Sequence, residues 1–465
     1  MTTPQPENGT RIDHLIAVAA KARSEGNRSA ELGALAQIEE LDQNNTPKLM
    51  LRRGQAFIVH ELYDDVVGVL EQLQRLEPHG FCYRQLLLEY LASLERADDL
   101  YANLLAWSES SDSSDDLTSI LLSAWTYTGD AKIFALFKQA CRSADRGVLA
   151  ASMSATFHIQ DPIEFYSQGQ KLEFQLRQLG RAVDLAEGMI DFGHIEQAKS
   201  FTHSMINMIR QHETGPNRLR RALEELGRIC DSWVRESDLP RSLLKEDYAS
   251  DFICSPAGEP GKLAVVFTGW NGRPLVGSRI LDNHLAQLGY QTIIVRDARS
   301  VGFGRGIKSL GSDRPTTLEA LDRKLSELGA SDPLFIGTSI GTFGAVSHGL
   351  PLGIRRFALF GPVSSAGDRE FLHGIGDYRG GVLLNRTSRN IPVGERLMAD
   401  FINRAHHSFR MKLIVGAQNR LDVRYAQSIA DFDGVETIQI PDYAEHNTVR
   451  GAISRGIFED IIDQA

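Results

Sequence analysis

Six short, largely apolar runs in the second half of the chain set the tightest limit on its fold. They are Leu263 to Thr268, Gln291 to Val295, Leu334 to Gly337, Arg356 to Phe360, Lys412 to Val415 and Val435 to Ile440. Each is too short for a buried helix, and few show the strict alternation of a strand with one wet face. Near-continuous apolar runs of this length are strands covered on both sides. Most are followed by a segment with helical spacing, so helical crossovers join strands that lie parallel. The expected architecture is an α/β doubly wound, mostly parallel sheet of at least six strands.

The first half has a different pattern. From about Ile12 to Arg235 apolar residues recur three and four apart and β-branched alternation is scarce, as in amphipathic helices. Gly54, Phe57, Val66, Leu70 and Pro78 are echoed 34 residues on by Leu88, Leu91, Leu100 and Leu104, and again by Ala186, Met189, Gly193 and Ala198. Such spacing suits helix pairs whose small residues allow close approach while large ones fill the gap. One pair cannot bury its apolar face alone, so neighbours stack. On these residues the region resembles tetratricopeptide (TPR) repeat proteins in an α-helical-repeat sense, and an irregular all-α bundle is the alternative. Such a domain is expected to dock a protein partner or to support a homo-oligomer. Ser108 to Asp116, SESSDSSDD, reads as an acidic loop, because Ser and Asp compete for backbone hydrogen bonds.

Composition closes off several function classes. The 465 residues are 42% hydrophobic with a mean hydropathy of -0.22 and a net charge of -10, so a folded chain of more than one core is expected. The negative balance argues against general affinity for nucleic acid or anionic membranes. Residues 1–10 are polar and expected to be disordered, without the basic start and apolar stretch of a secretory signal. No apolar run reaches the ~18 residues of a membrane span. Cys82, Cys141, Cys230 and Cys254 are scattered, which indicates neither disulfides nor a zinc site and suggests a cytoplasmic protein. Pro240, Pro256, Gly258, Pro260 and Gly261 break the helical pattern, so 11–239 reads as the helical domain, 240–261 as a linker and 262–465 as the sheet domain.

One turn carries the chemistry. The run Pro333-Leu-Phe-Ile leads directly into Gly337-Thr-Ser339-Ile-Gly341, and a helix-compatible segment follows. Strand, sharp turn and helix around G-x-S-x-G make a nucleophile elbow, with Ser339 raised above the sheet beside a helix N-terminus. A serine needs a base, and the base an orienting carboxylate. Among His348, His373, His406, His407 and His446, only His446 follows the last strand, in the loop Pro441 to Asn447. The strand Lys412 to Val415 ends in Gly416-Ala-Gln-Asn419-Arg-Leu-Asp422. Asp422 is the first carboxylate there and is read as the acid, with a helix N-cap as its structural alternative; Glu445 is a weaker candidate. The backbone N–H groups of Ile340 and Trp270 are expected to form an oxyanion hole.

With elbow, acid loop and histidine loop in this order, the C-terminal half resembles the α/β-hydrolase superfamily. The resemblance implies a cytoplasmic serine esterase that needs no cofactor and no metal. In that pattern a carboxylate commonly stands where this chain has Asn419. The segments Val295 to Arg299, Gly302 to Ile307, GAQNRLDVRYA and AEHN are also similar to bacterial hydrolase-like proteins linked with cell-surface polysaccharide biosynthesis. That likeness implies a small-molecule or saccharide acyl ester as substrate, with Asn271, Asp297, Arg299 and Asn419 as contact candidates. A structural ion pair of Asp297 with Arg299 is the alternative. Gly302-Phe-Gly-Arg-Gly306 brings its third glycine too early for a dinucleotide fingerprint and reads as a mobile loop at the site's rim. Residues 364–409 read as a lid insertion that Phe371, Tyr378, Leu383 and Leu384 could line. Two rivals share these features: an acyltransferase with the same triad, and a non-catalytic scaffold with a degenerate hydrolase fold.

Overall fold

The structure is a computed structural model. It describes residues 11–465 except 13, 20–21, 23–27, 42–45, 111–113, 144–152, 155, 158, 160–179, 213–216, 249 and 378–380. The expected disordered N-terminus, the middle of the acidic loop and Tyr378 therefore lie outside the described residues, as do the side chains of Leu383 and Leu384.

The described residues of the first half form helices: α1 (Arg28–Leu41), α2 (Pro47–Val59), α3 (Tyr63–Leu76), α4 (Phe81–Ser93), α5 (Ala97–Glu109), α6 (Ser114–Thr128) and α7 (Ala131–Ser143). After them come α8 (Gly180–Asp191), α9 (Ile195–His212) and α10 (Asn217–Asp231). Three hairpins, α2/α3, α4/α5 and α6/α7, turn at Glu61, Glu95 and Gly129, each with a left-handed φ of 57°, 58° and 62°. These turns recur every 34 residues, the separation that the bond from Gln55 Nε2 to Glu89 Oε1 also spans. The bond closing the first turn, Leu62 N–H to Phe57 C=O at 2.9 Å, returns as Arg96 N–H to Leu91 C=O at 3.0 Å. The repeat positions Val66, Leu88, Leu100 and Leu104 are all fully buried.

The turns share one edge, and that edge faces the second half. Glu61 accepts from Arg369 Nη2 at 2.8 Å, and Glu95 from Asn390 Nδ2 at 3.0 Å. Gly129 lies so close to the Ala298 carbonyl that a Cβ would overlap it.

The sheet contains β1 (Phe252–Cys254), β2 (Leu263–Phe267), β3 (Gln291–Val295), β4 (Leu334–Thr338), β5 (Arg356–Phe360), β6 (Arg410–Gly416) and β7 (Val435–Ile440). Their spatial order is β1-β3-β2-β4-β5-β6-β7, with β1 antiparallel to β3 and every other pairing parallel. All six expected strands are present, and the sheet has the α/β doubly wound form read from the sequence. The seventh, β1, is three partly exposed residues, too short to stand out from the surrounding turn residues.

Alternate residues feed two cores. Leu263, Val265 and Phe267 pack on one face with α12 (Arg314–Glu327) and α13 (Gly341–Gly349). Ala264 and Val266 pack on the other with α11 (Ser278–Gln287), α18 (Thr448–Ser454) and α19 (Phe458–Gln464). Helices α8–α10 join that second core through Leu185, Met189, Leu223 and Leu226. The change of pattern at 240–261 is thus not a border in the packing. Between β5 and β6 the chain forms α14 (Arg369–Ile375), α15 (Gly381–Asn390) and α16 (Met398–Ile402); α17 (Arg420–Gln427) follows β6. Among the described residues no helix is long and apolar enough to cross a membrane.

Candidate active site

The turn from β4 into α13 forces its own sequence. Ser339 has φ of 55°, a left-handed conformation that costs a non-glycine residue about 1–2 kcal/mol. Both flanks must be glycine. A Cβ on Gly337 would stand 2.4 Å from Thr342 Cα, and one on Gly341 would stand 2.2 Å from the Phe267 carbonyl oxygen. Ser339 N–H donates to Phe360 C=O at 3.0 Å, and Thr342 N–H donates to Ser339 C=O at 2.9 Å. The elbow is therefore fixed from β5 and from α13 at once.

Three distant loops meet above it. His446 Nε2 lies 2.9 Å from Ser339 Oγ, and its Nδ1 lies 2.9 and 3.0 Å from the two Asp422 carboxylate oxygens. A carboxylate only accepts, so Nδ1 carries the proton and Nε2 is left to accept from the serine hydroxyl. Asp422 is almost fully buried, while about a quarter of the His446 side chain is exposed. The N-cap alternative for Asp422 belongs to Asn419 instead, whose Oδ1 accepts from Asp422 N–H at 3.2 Å. Asn419 Nδ2 donates to Asp422 Oδ2 at 2.9 Å. Asn419, a contact candidate from sequence, thus holds Asp422 through both its backbone and its carboxylate.

Two of the other histidine candidates, His348 and His407, are engaged elsewhere. His348 is buried in α13, with Nδ1 2.9 Å from Gly344 C=O, and burial pushes its pKa down to about 4. His407 Nε2 contacts Ile354 C=O. Glu445, the weaker acid candidate, pairs with Arg218.

The loop after β2 runs alongside Ser339, since a Cβ on Gly269 would be 3.4 Å from Ser339 Cβ. Gly269 N–H is used within that turn, donating to Arg273 C=O at 3.0 Å. Among the described residues, the N–H groups of Trp270 and Ile340 donate to no protein acceptor.

Three further contact candidates serve the backbone. Asn271 Oδ1 accepts from Arg273 N–H at 3.1 Å. Asp297 accepts from the N–H groups of Val301, Phe303 and Arg299 at 2.7, 3.0 and 3.2 Å. Burial pushes the Asp297 carboxyl above its ordinary range against these three bonds. Arg299 donates to the carbonyls of Arg305 and Gly311, so it forms no ion pair with Asp297. The 302–306 stretch is packed, not a free rim: Phe303 is fully buried against Phe267. Thr387 of α15 and Ile340 of the elbow both lie beside Gly302. Phe371 packs on Tyr425.

A group that the sequence reading missed holds the site from behind. Arg273, three residues past Trp270, donates to Glu187 Oε2 of α8 at 2.9 Å. Arg450, four residues past His446, lies 3.0 Å from Glu225 Oε2 of α10 and 3.4 Å from Glu187 Oε1. Tyr443 O–H donates to Asn447 C=O at 2.6 Å and lies 3.4 Å from Glu225. Burial raises the Glu187 pKa even with both guanidiniums beside it. The available signal was a charge on an apolar stripe: Glu225 stands between the buried Leu223 and Leu226.

No family model and no curated protein matches the chain in sequence. Among solved structures it is similar to the capsule O-acetyltransferase of Neisseria meningitidis serogroup A, at 13% identity and a TM-score of 0.33, over 47% of this chain and 93% of that one. It is similar to an alpha/beta hydrolase fold protein from Chitinophaga pinensis, at 15% identity and a TM-score of 0.29, over 50% of this chain and 99% of that one. It is also similar to an esterase from the bacterial hormone-sensitive lipase family, at 15% identity and a TM-score of 0.35, over 57% of this chain and 97% of that one. The sheet order and the elbow of the C-terminal half are those of an α/β-hydrolase fold.

Proposed function

We propose that the protein is a serine acyl hydrolase acting on an ester or related acyl bond. The observation that carries this reading is the unbroken hydrogen-bond path from Ser339 through His446 to Asp422, starting at a left-handed elbow. Ser339 Oγ attacks the acyl carbon while His446 Nε2 takes its proton. The carbonyl oxygen becomes an oxyanion held by the free N–H groups of Trp270 and Ile340, each worth about 3 kcal/mol in such transition states. Collapse breaks the bond to the leaving alcohol, which takes the proton from His446. Water then repeats the sequence on the acyl-enzyme, releasing the acid and restoring Ser339. Asp422 stays ionised and holds the imidazolium.

Acyl transfer to an alcohol uses the same three residues and differs only in which acceptor reaches the acyl-enzyme. The degenerate-scaffold rival loses its main support, since Asn419 does not stand in for the acid but bonds to it. The turn edge of α2–α7 is spent on the sheet half, so docking of a protein partner or a second copy falls to their other faces. We read 364–409 as the cover of the site.

The test is turnover of p-nitrophenyl esters by the parent chain and by Ser339→Ala. A fall of about 10⁴-fold or more is expected, together with fluorophosphonate labelling of the parent alone. Equal turnover and equal labelling would remove the serine mechanism.

A further inference from the structure

A cavity of about 590 Å³ lies where the repeat hairpins meet the carboxyl ends of β2 and β3. Open α/β sheets bind ligands in the crevice outside the carboxyl ends of their strands, and here the helical half supplies part of the wall. Trp125, Gly129 and Phe134 come from α6, α7 and the turn between them; Trp270 and Asp297 come from the loops after β2 and β3. The hairpin is fastened in place, because Ser300 Oγ donates to Thr126 C=O and Gly129 abuts Ala298. Trp270 is the residue beside the nucleophile's flanking loop, and in the sheet order β3-β2-β4 the elbow is the next strand end. The link between the two is the β2 loop, which runs beside Ser339 at Gly269 and lines the cavity at Trp270.

The wall sorts ligands by chemistry. Its apolar surface is aromatic: Trp125 and Phe134 rings lie 4.6 Å apart, and Tyr248 sits beneath the Arg296 guanidinium. Its negative and positive groups are unequally occupied. Asp297 is held by three backbone N–H groups, and Asp251 Oδ2 accepts from Ser309 N–H at 3.0 Å. Arg296 is consumed by Glu246 and three carbonyls. Lys138 and Lys308, by contrast, have no carboxylate partner among the described residues, and neither do the indole N–H groups of Trp125 and Trp270 have an acceptor. Lys138 Nζ stands 5.2 Å over the Phe134 ring, poised where an anion on a flat apolar body would meet both. The unspent groups are two ammonium and two indole N–H donors, set against a single acceptor, the second carboxylate oxygen of Asp251.

We propose that this interdomain cavity binds one arm of the substrate, a flat or hydrocarbon body ending in a carboxylate or phosphate. The helical half thereby sets specificity, with Trp125 and Phe134 holding the body and Lys138 and Lys308 the anion. The arm's attachment to a scissile ester rests on the serine-hydrolase reading; the cavity's preference does not.

The test therefore uses Ser339→Ala, in which no turnover is needed. Tryptophan fluorescence is titrated with 2-naphthoate and with its neutral isostere 2-naphthamide. Saturable quenching by 2-naphthoate is expected at concentrations at least tenfold lower than for the amide. In Ser339→Ala with Lys138→Met and Lys308→Met the carboxylate should weaken at least tenfold, and Lys→Arg at both positions should restore it. Trp125→Leu should weaken both probes. Equal affinity for acid and amide, no saturable quenching, or indifference to the lysine changes would overturn the proposal. Fluorophosphonate labelling of the chain with Ser339 present reports separately on the nucleophile, so a silent cavity and a silent serine are told apart.

Discussion

Glu95 in the helical half and Ser339 in the sheet half share a left-handed backbone, at φ of 58° and 55°, and use it in opposite ways. Glu95 is one of a series: Glu61 before it and Gly129 after it take the same conformation at the same place in their hairpins. The strain there is distributed, and its product is alignment of three turns along one edge. Ser339 belongs to no such series, although Leu275, Ser300, Phe303 and Asp442 of its half are left-handed too; two backbone contacts and two glycine flanks prevent it from relaxing. Repetition makes a surface; strain locked at one strand-to-helix turn fixes where one hydroxyl points. The two meet because the repeat edge is laid against the loops that surround the elbow.

If the helical half supports the site, breaking the buried charges between them should have the largest effect on stability. Arg273→Met leaves Glu187 and Asp191 without the nearest cation in a fully buried setting. Removing one partner of such a pair typically costs about 3–5 kcal/mol. The loss is expected in urea denaturation, with slower fluorophosphonate labelling of Ser339, because the Arg273 side chain ties the turn that carries Trp270 to α8. A change below about 1 kcal/mol would mean that the two halves stand independently.

The same contrast explains what could be read from sequence. The strands were legible because burial on both faces demands apolar runs. The elbow was legible because only glycine fits at 337 and 341, and His446 because it alone follows the last strand. Asp422 was named as the first carboxylate of its loop and lies against His446, but Asn419's double role required the helix start that only the fold supplies. The Glu187–Arg273 and Glu225–Arg450 pairs join residues 86 and 225 positions apart, so charge patterning along the chain could not pair them. Gly129 advertises a left-handed turn, whereas Glu61 and Glu95 do not, because glutamate carries no such preference.

A pH experiment separates the halves further. His348 lies directly behind the elbow, and burial holds its pKa near about 4 instead of its ordinary 6.5. The folded state thus binds the proton less readily than the unfolded chain. Its contribution is complete above pH 6.5 and is lost as pH falls toward 4, at about 1.4 kcal/mol per unit and about 3 kcal/mol in all. Denaturation curves across that window should show the slope in the parent and a shallower one in His348→Leu. An unchanged slope would place the acid sensitivity elsewhere.

The smallest effect is expected where strain is shared. Glu95→Gly removes the steric cost of a left-handed residue, about 1–2 kcal/mol. It also frees the unfolded chain, at a cost of about 0.5–1 kcal/mol, and deletes the exposed bond to Asn390, worth at most about 1 kcal/mol. These terms nearly cancel, so the melting temperature should move by only a few degrees in either direction. Fluorophosphonate labelling should be unchanged, since the neighbouring turns keep the edge in register. A fall of more than about 2 kcal/mol would instead show that this one side chain, and not the repeat, fastens the helical half to α15.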